Sequence, residues 1–147
     1  LSSMQGSLGI GANLLHWSPQ DFAAAKKYVA EYKAIRASVQ QGKLYRLLSP
    51  RDNSPHAATE SVSRDGAQAV LFAFLHASQM KYPYPRVRLQ GLDPDARYRW
   101  RSLHGAPVAG TLVEASGAYW MNHGIDLALK GDYQAAAIVF DRVGGKR

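Results

Sequence analysis

Apolar residues between positions 19 and 41 recur at steps of three and four, which predicts one amphipathic helix. Ser18 precedes this pattern and is a suitable N-cap, and Asp21 three residues later completes a capping box. Trp17 and Phe22 have the spacing of a hydrophobic staple across that cap. The apolar stripe of the helix comprises Phe22, Ala25, Val29, Tyr32, Ile35 and Val39.

The segment before this helix is rich in glycine. Gly6, Gly9 and Gly11 fall within residues 5–14 and would weaken an exposed strand. They suit a short buried strand that another backbone approaches closely. The spacing does not match a phosphate-binding loop, because no Lys-Ser/Thr pair follows the glycines.

After Gly42, a natural helix stop, the apolar pattern changes to period two. Residues 44–48 are predicted to form a short strand. Asp65-Gly66 predicts a hairpin turn between residues 59–64 and 68–77. The second of these strands is apolar on both faces, as expected for a central strand.

A second hairpin is predicted from residues 86–90 and 97–101 around a turn at 91–95. It has one apolar face and one face with five arginines, Arg86, Arg88, Arg97, Arg99 and Arg101. Such a face is either an anion site or an outer surface whose arginines are solvated or paired with carboxylates. The outer surface is favoured.

The C-terminal part of the chain has two interpretations. Residues 127–140 are similar to one turn of a helical repeat, but a repeat array needs several copies and a fixed period. The alternative is a pair of strands over residues 125–129 and 135–141, joined at Gly131-Asp132.

The composition is that of a globular protein of 147 residues, with 46% apolar residues and a net charge of +7. The basic residues form no long run, so nucleic-acid binding is not favoured. The chain has no cysteine, which excludes disulfides and fits the cytoplasm. It has no long apolar run for a membrane span and no signal peptide. Because it begins at Leu1 rather than Met, we expect it to derive from a longer protein.

No arrangement of residues in the chain points to chemistry. The histidines, His16, His56, His76, His104 and His123, lack metal-ligand spacing, and no Gly-x-Ser-x-Gly motif occurs. The carboxylates are sparse and lie mostly in turns. We therefore predict no catalytic residue, no metal site and no cofactor in this chain, and leave substrate-binding residues unassigned.

Several segments resemble the late part of α-galactosidases related to bacterial enzymes that cleave raffinose and melibiose. The similar segments are Met4-Gln5-Gly6-Ser7-Leu8-Gly9-Ile10-Gly11-Ala12-Asn13-Leu14, Trp17-Ser18, Tyr32-Lys33-x-Ile35-Arg36, Val39-Gln40-x-Gly42-x-Leu44-Tyr45-Arg46-Leu47, Val70-Leu71-Phe72-Ala73-Phe74, Leu89-x-Gly91-Leu92-Asp93-Pro94-x-Ala96-x-Tyr98 and Ser116-Gly117.

The resemblance implies an α+β fragment. Residues 1–42 would be the last strand and helix of a (β/α)₈ barrel, and residues 43–147 a C-terminal antiparallel β-sandwich domain. Residues 135–141 would then form a strand, with Ile138 and Phe140 on the inner side. Because one strand and one helix cannot cover their own apolar sides, we expect the long helix to pack partly on the β-domain and the glycine-rich strand to pair with another chain.

The resemblance also implies retaining hydrolysis of α-linked galactose by two aspartates. In such enzymes the nucleophile lies in a Lys-Trp-Asp sequence and the acid in a Ser-Asp sequence. This chain contains neither sequence, so both aspartates would precede this segment. Residues 12–16 would lie at the active-site end of the barrel and could border the sugar. The expected partners are α-galactoside oligosaccharides and other copies of the same chain, without nucleic acid or membrane. A stand-alone carbohydrate-binding or interaction β-domain is the alternative.

Overall fold

The computed structural model describes residues 1–51, 54–78 and 84–144, and in them a six-stranded antiparallel sheet carries a long helix on one face. The strands are β1 Lys43–Leu48, β2 His56–Val62, β3 Gln68–Leu75, β4 Arg97–His104, β5 Glu114–Ser116 and β6 Gln134–Val143. The helices are α1 Pro19–Gln41 and α2 Gly117–Asn122, and short 3₁₀ turns occupy Ser2–Gln5 and Leu14–His16. The strand order across the sheet is β1-β2-β3-β6-β4-β5.

Helix α1 has the predicted bounds and the predicted cap. The Asp21 amide donates to the Ser18 hydroxyl at 3.2 Å, and the Ser18 amide donates to an Asp21 carboxylate oxygen at 2.9 Å. The rings of Trp17 and Phe22 meet edge to face, with centroids 5.2 Å apart. These contacts confirm the capping box and the staple, so local sequence defines where the helix begins.

The C-terminal half of α1 packs on one face of the sheet, as predicted. Tyr32, Ile35 and Ser38 are buried there. The Ser38 hydroxyl donates to the Gln68 side chain at 2.7 Å, and the Gln68 amide group donates to Asp141 at 2.9 Å, which links the helix to β3 and β6. The sheet residues buried in this layer are Val70, Phe72, Ala137 and Val139.

Strand β3 lies in the middle of the sheet, with β2 on one side and β6 on the other. The predicted hairpin is confirmed, because β2 and β3 pair antiparallel across a turn in which Gly66 has a φ of +67°. Strand β6 confirms the strand interpretation of residues 135–141. Ile138 and Phe140 face one side of the sheet, whereas Val139 belongs to the layer under α1.

The second predicted hairpin is wrong. Residues 86–90 form no strand with 97–101; Val87 instead makes an isolated bridge to Ile125. Strand β4 pairs with β5 and β6. The alternating pattern of residues 86–90 correctly predicted that the Val87 side chain is buried, since it is 1% exposed. The alternating pattern could not show that β6, from the C-terminal end of the chain, would pair with β4.

The other face of the sheet is covered by α2 and irregular segments rather than by a second sheet. The expected β-sandwich domain is therefore seen in a coarser form, as one antiparallel sheet to which all of the described strands belong. Trp120 of α2 is fully buried in this layer and donates its indole N–H to the Tyr98 carbonyl at 3.3 Å. The Tyr98 hydroxyl in turn donates to the Gly66 carbonyl at 2.9 Å.

The predicted strand in the glycine-rich segment is also absent. Residues 6–12 form no strand, and a Cβ added at Gly6, Gly9 or Gly11 would have no heavy atom within 4 Å. A buried strand requires hydrogen-bonding neighbours at its edges. The described part of the chain places no neighbouring strand beside this segment.

Candidate functional site

The carboxylates of the described residues mostly support structure. Glu114 accepts hydrogen bonds from Arg97 at 2.7 Å and from Arg99 at 2.9 Å, and these bonds hold the pKa of its carboxyl below the usual value. Arg101 donates to Asp141 at 2.8 Å. The interpretation of this arginine face as a carboxylate-paired outer surface is confirmed for these three arginines.

Arg86 is paired in the same way outside the sheet. Its guanidinium makes a two-point contact with Asp126, which lowers the pKa of that carboxyl. The Asp126 carboxylate is therefore committed to an ion pair. Arg88 is exposed.

The described ranges contain no group of three His, Asp or Glu side chains that could hold a metal ion. In the same ranges, no helix combines the length and the apolar character that a bilayer crossing requires.

One carboxylate, Glu60, is fully buried in the layer that contains α2. It lies on β2 between Ala58 and Val62, whose side chains face the same layer. One carboxylate oxygen accepts the Gln90 amide at 2.7 Å, and the other has no hydrogen-bond partner among the described residues. Burial raises the pKa of Glu60 to about 8, so the group is mostly protonated at neutral pH. Glu60 was not among the candidate functional residues named from the sequence. A charged residue at a position that faces the interior in an alternating strand is nevertheless a signal of a buried carboxylate.

The segment predicted to border a sugar lies at the N-terminal end of the molecule. Residues 12–16 are exposed there, and Leu14–His16 form a 3₁₀ turn that leads into α1. The Asn13 side chain accepts the Leu15 amide at 3.1 Å. The turn contributes little to the folded interior, since Leu15 is 92% exposed.

The N-terminal half of α1 and the segment before it carry an unusual amount of exposed apolar surface. We call this the N-terminal apolar surface; its exposed members are Ile10, Leu14, Leu15, Phe22 and Tyr28. Beside it, Leu8, Trp17 and Val29 help to line a hollow of about 240 Å³. The stripe predicted along α1 is therefore buried only at its C-terminal half. A contiguous exposed apolar surface is typical of a protein interface.

A family model described as "Glycosyl hydrolase family 36 C-terminal domain" matches residues 56–140. Among curated proteins, the chain is 34% identical over 143 residues to probable alpha-galactosidase C of Aspergillus terreus. It is 33% identical over 101 residues to alpha-galactosidase AgaA of Geobacillus stearothermophilus. The first alignment covers 97% of this chain but only 18% of the relative, and the second covers 69% and 14%.

Solved structures agree with these relatives. The α-galactosidase from Lactobacillus brevis superimposes with a TM-score of 0.79 at 25% identity, covering 98% of this chain and 19% of that one. A variant of AgaA from Geobacillus stearothermophilus in complex with raffinose superimposes with a TM-score of 0.78 at 26% identity, covering 95% and 18%. The helix and the sheet of this chain are thus found together in both structures.

Proposed function

The chain belongs to the glycosyl hydrolase family 36 C-terminal domain family, and from this membership we propose that it is the C-terminal part of an α-galactosidase. The enzyme would release terminal α-linked galactose from oligosaccharides such as melibiose and raffinose. Support comes from the Aspergillus terreus relative, a probable α-galactosidase that matches 97% of this chain. The raffinose complex of AgaA supports the substrate class. Similar proteins come from fungi and from bacteria, so a bacterial source stays a prediction.

In this proposal the chain contributes structure rather than catalytic groups. A retaining mechanism needs two carboxylates about 5 Å apart, one as nucleophile and one as acid. The carboxylates of the arginine face are committed to ion pairs, and Glu60 is buried in the sheet. Both catalytic residues would therefore come from the remainder of the longer protein.

Residues 1–42 would complete the catalytic barrel, and residues 43–147 would form the terminal β-domain. The N-terminal apolar surface carries this part of the proposal. Phe22 is 49% exposed and Leu15 92% exposed, although burying such side chains fully would each contribute about 1.5–3 kcal/mol. A barrel would cover this surface and would supply the strand neighbours that residues 6–12 lack.

A chimera tests the proposal directly. The segment of AgaA that matches this chain is replaced by residues 1–147, and release of nitrophenol from a nitrophenyl α-galactoside is measured. We expect the chimera to hydrolyse the substrate and the isolated chain to be inactive. Hydrolysis by the isolated chain would show that it carries a catalytic site of its own.

A glycine substitution tests the docking mode in the same chimera. Gly9 has open space around it in this chain, so Gly9→Val is expected to leave the stability of the isolated chain unchanged. In the chimera the added side chain would meet neighbouring barrel strands, and activity should fall. Leu112→Asn, at a 52% exposed position outside the N-terminal apolar surface, is the matched control. Equal activity of both chimeras would contradict the barrel assignment of residues 1–42.

A further inference from the structure

A groove of about 590 Å³ opens between α1 and the ends of β3 and β6. Its lining includes five residues with aromatic side chains, Tyr28, Phe74, His76, His104 and Tyr133. Tyr28 lies on α1, Phe74 lies on β3, and Tyr133 directly precedes β6. Residues distant in the sequence therefore present their rings to one space.

The backbone at Tyr133 adopts a left-handed conformation that is unusual for a bulky residue. Its φ is +54°, and among the described residues it is the one non-glycine position with a positive φ. Bulky residues rarely adopt this conformation, and such outliers cluster at functional sites. The ring gains little from burial, because Tyr133 is 78% exposed. Strain without compensating burial suggests that the ring is placed for contact with something else.

Two hydrogen bonds hold Tyr133 in this position. Its amide donates to the His76 carbonyl at 3.1 Å, and the Ser78 amide donates to the Asp132 carboxylate at 2.7 Å. The rings of His76 and Tyr133 have centroids 5.1 Å apart and are nearly perpendicular, at 86°. Together they form an exposed aromatic corner at the mouth of the groove.

The chemistry of the lining selects a neutral, amphipathic ligand. None of the described lining residues has an Asp, Glu, Lys or Arg side chain, so the side chains described there offer no fixed charge to a ligand. It combines aromatic faces with hydroxyl, imidazole and amide groups. A pyranose has matching surfaces, since its C–H groups form an apolar face and its hydroxyls surround the edge.

We propose that this groove binds a neutral saccharide, with the Tyr133 ring against the C–H face of a pyranose and His76 and His104 hydrogen-bonded to its hydroxyls. The site goes beyond the proposed catalytic assembly. The proposed contacts at Tyr133, His76 and His104 involve only groups of this chain, whereas Tyr28, on the other side of the groove, also belongs to the N-terminal apolar surface.

The test is an amide-resolved NMR titration of the complete 147-residue chain with galactose, melibiose and raffinose. We expect saturable shifts of amides in residues 74–78 and 131–135 with at least one of these sugars. Tyr133→Asn should weaken binding by about tenfold or more, as is usual when an aromatic anchor is lost. Asparagine accepts a positive φ more readily than tyrosine, so the variant should fold at least as well as the parent.

Two further variants separate a binding role from a structural one. Tyr133→Phe keeps the ring and should retain most of the affinity. Val143→Asn changes a 39% exposed side chain at the opposite end of β6 and should leave binding unchanged. The proposal is overturned if none of the three sugars shifts these amides, or if a folded Tyr133→Asn variant binds as tightly as the parent. Because no measurement of hydrolysis is involved, this result is independent of the α-galactosidase test.

Discussion

At the scale of single residues, Glu60 is the group whose environment departs most from its ordinary solution state. Its side chain is fully buried and accepts one hydrogen bond, from the Gln90 amide. That bond favours the ionised form, but the cost of desolvating a charge is larger and raises the pKa to about 8. The folded chain therefore retains a proton that the unfolded chain releases near pH 4.5.

We predict that this proton makes stability depend on pH. Because the folded pKa lies above the unfolded one, the contribution is fully present below about pH 4.5 and is lost as the pH rises toward 8. Glu60→Gln removes the titration while preserving the shape of the side chain. The free energy of unfolding of the parent should fall, relative to this variant, by roughly 1–3 kcal/mol between pH 5 and 8. Urea denaturation of both proteins across this range measures the difference, and parallel curves would contradict the assignment.

At the scale of secondary-structure elements, α1 has two halves with different roles. Its start is defined locally by the Ser18–Asp21 capping box. Its C-terminal half is held by the sheet, against which Ile35 is fully buried, and by the N-terminal segment, where the Gly6 carbonyl accepts the Tyr32 hydroxyl at 2.5 Å. The N-terminal half has its apolar side exposed. The apolar stripe of α1 is continuous in the sequence, but its C-terminal part packs on the sheet and its N-terminal part is exposed.

The end of α1 yields a second prediction. Gly42 has a φ of −78°, so its glycine is not required by a left-handed conformation. It is required by space, since an added Cβ would lie 2.2 Å from the Ser38 carbonyl oxygen and 2.3 Å from that of Val62. Gly42→Ala should lower the free energy of unfolding by about 1–3 kcal/mol or more through overpacking. Gly9→Ala, at an open position, is the control and should be close to neutral. A thermal melt that gives equal destabilisation for the two variants would mean that α1 does not approach β2 this closely.

At the scale of the whole molecule, the described residues leave the N-terminal apolar surface exposed to water. The sheet buries both of its faces, one under α1 and one under the layer that contains α2. In contrast, Ile10, Leu14 and Leu15 are about half exposed or more. Something outside the described chain is expected to cover them.

We therefore predict that the isolated chain self-associates through this surface. Sedimentation velocity should show an average mass that rises with concentration, because apolar surface is removed from water on contact. The double variant Leu15→Asn/Phe22→Ser should shift the distribution toward monomer. A matched pair, Leu112→Asn/Val113→Ser, changes side chains that are 52% and 56% exposed on another loop and should not. A chain that stays monomeric at all concentrations would show that the surface is stable in water.

The sequence by itself determined the features that depend on neighbouring residues. The capping box and the three- and four-residue spacing predicted α1, and Asp65-Gly66 predicted the β2–β3 hairpin. Local hydrogen bonds and side-chain periodicity carry this information, since they involve residues close together in the chain. The family resemblance added the strand at β6, where the residues alone left helix and strand open.

Only the tertiary structure decided which distant segments meet. The pairing of β6 with both β3 and β4 was not predictable from alternation, because period two shows which residues face inward but not which strand lies alongside. The same limit explains the wrong second hairpin and the absence of a strand at residues 6–12 in the described structure, since both need a neighbour that local sequence cannot specify. The burial of Glu60 and the aromatic corner at Tyr133 likewise arise from contacts between segments far apart in the chain.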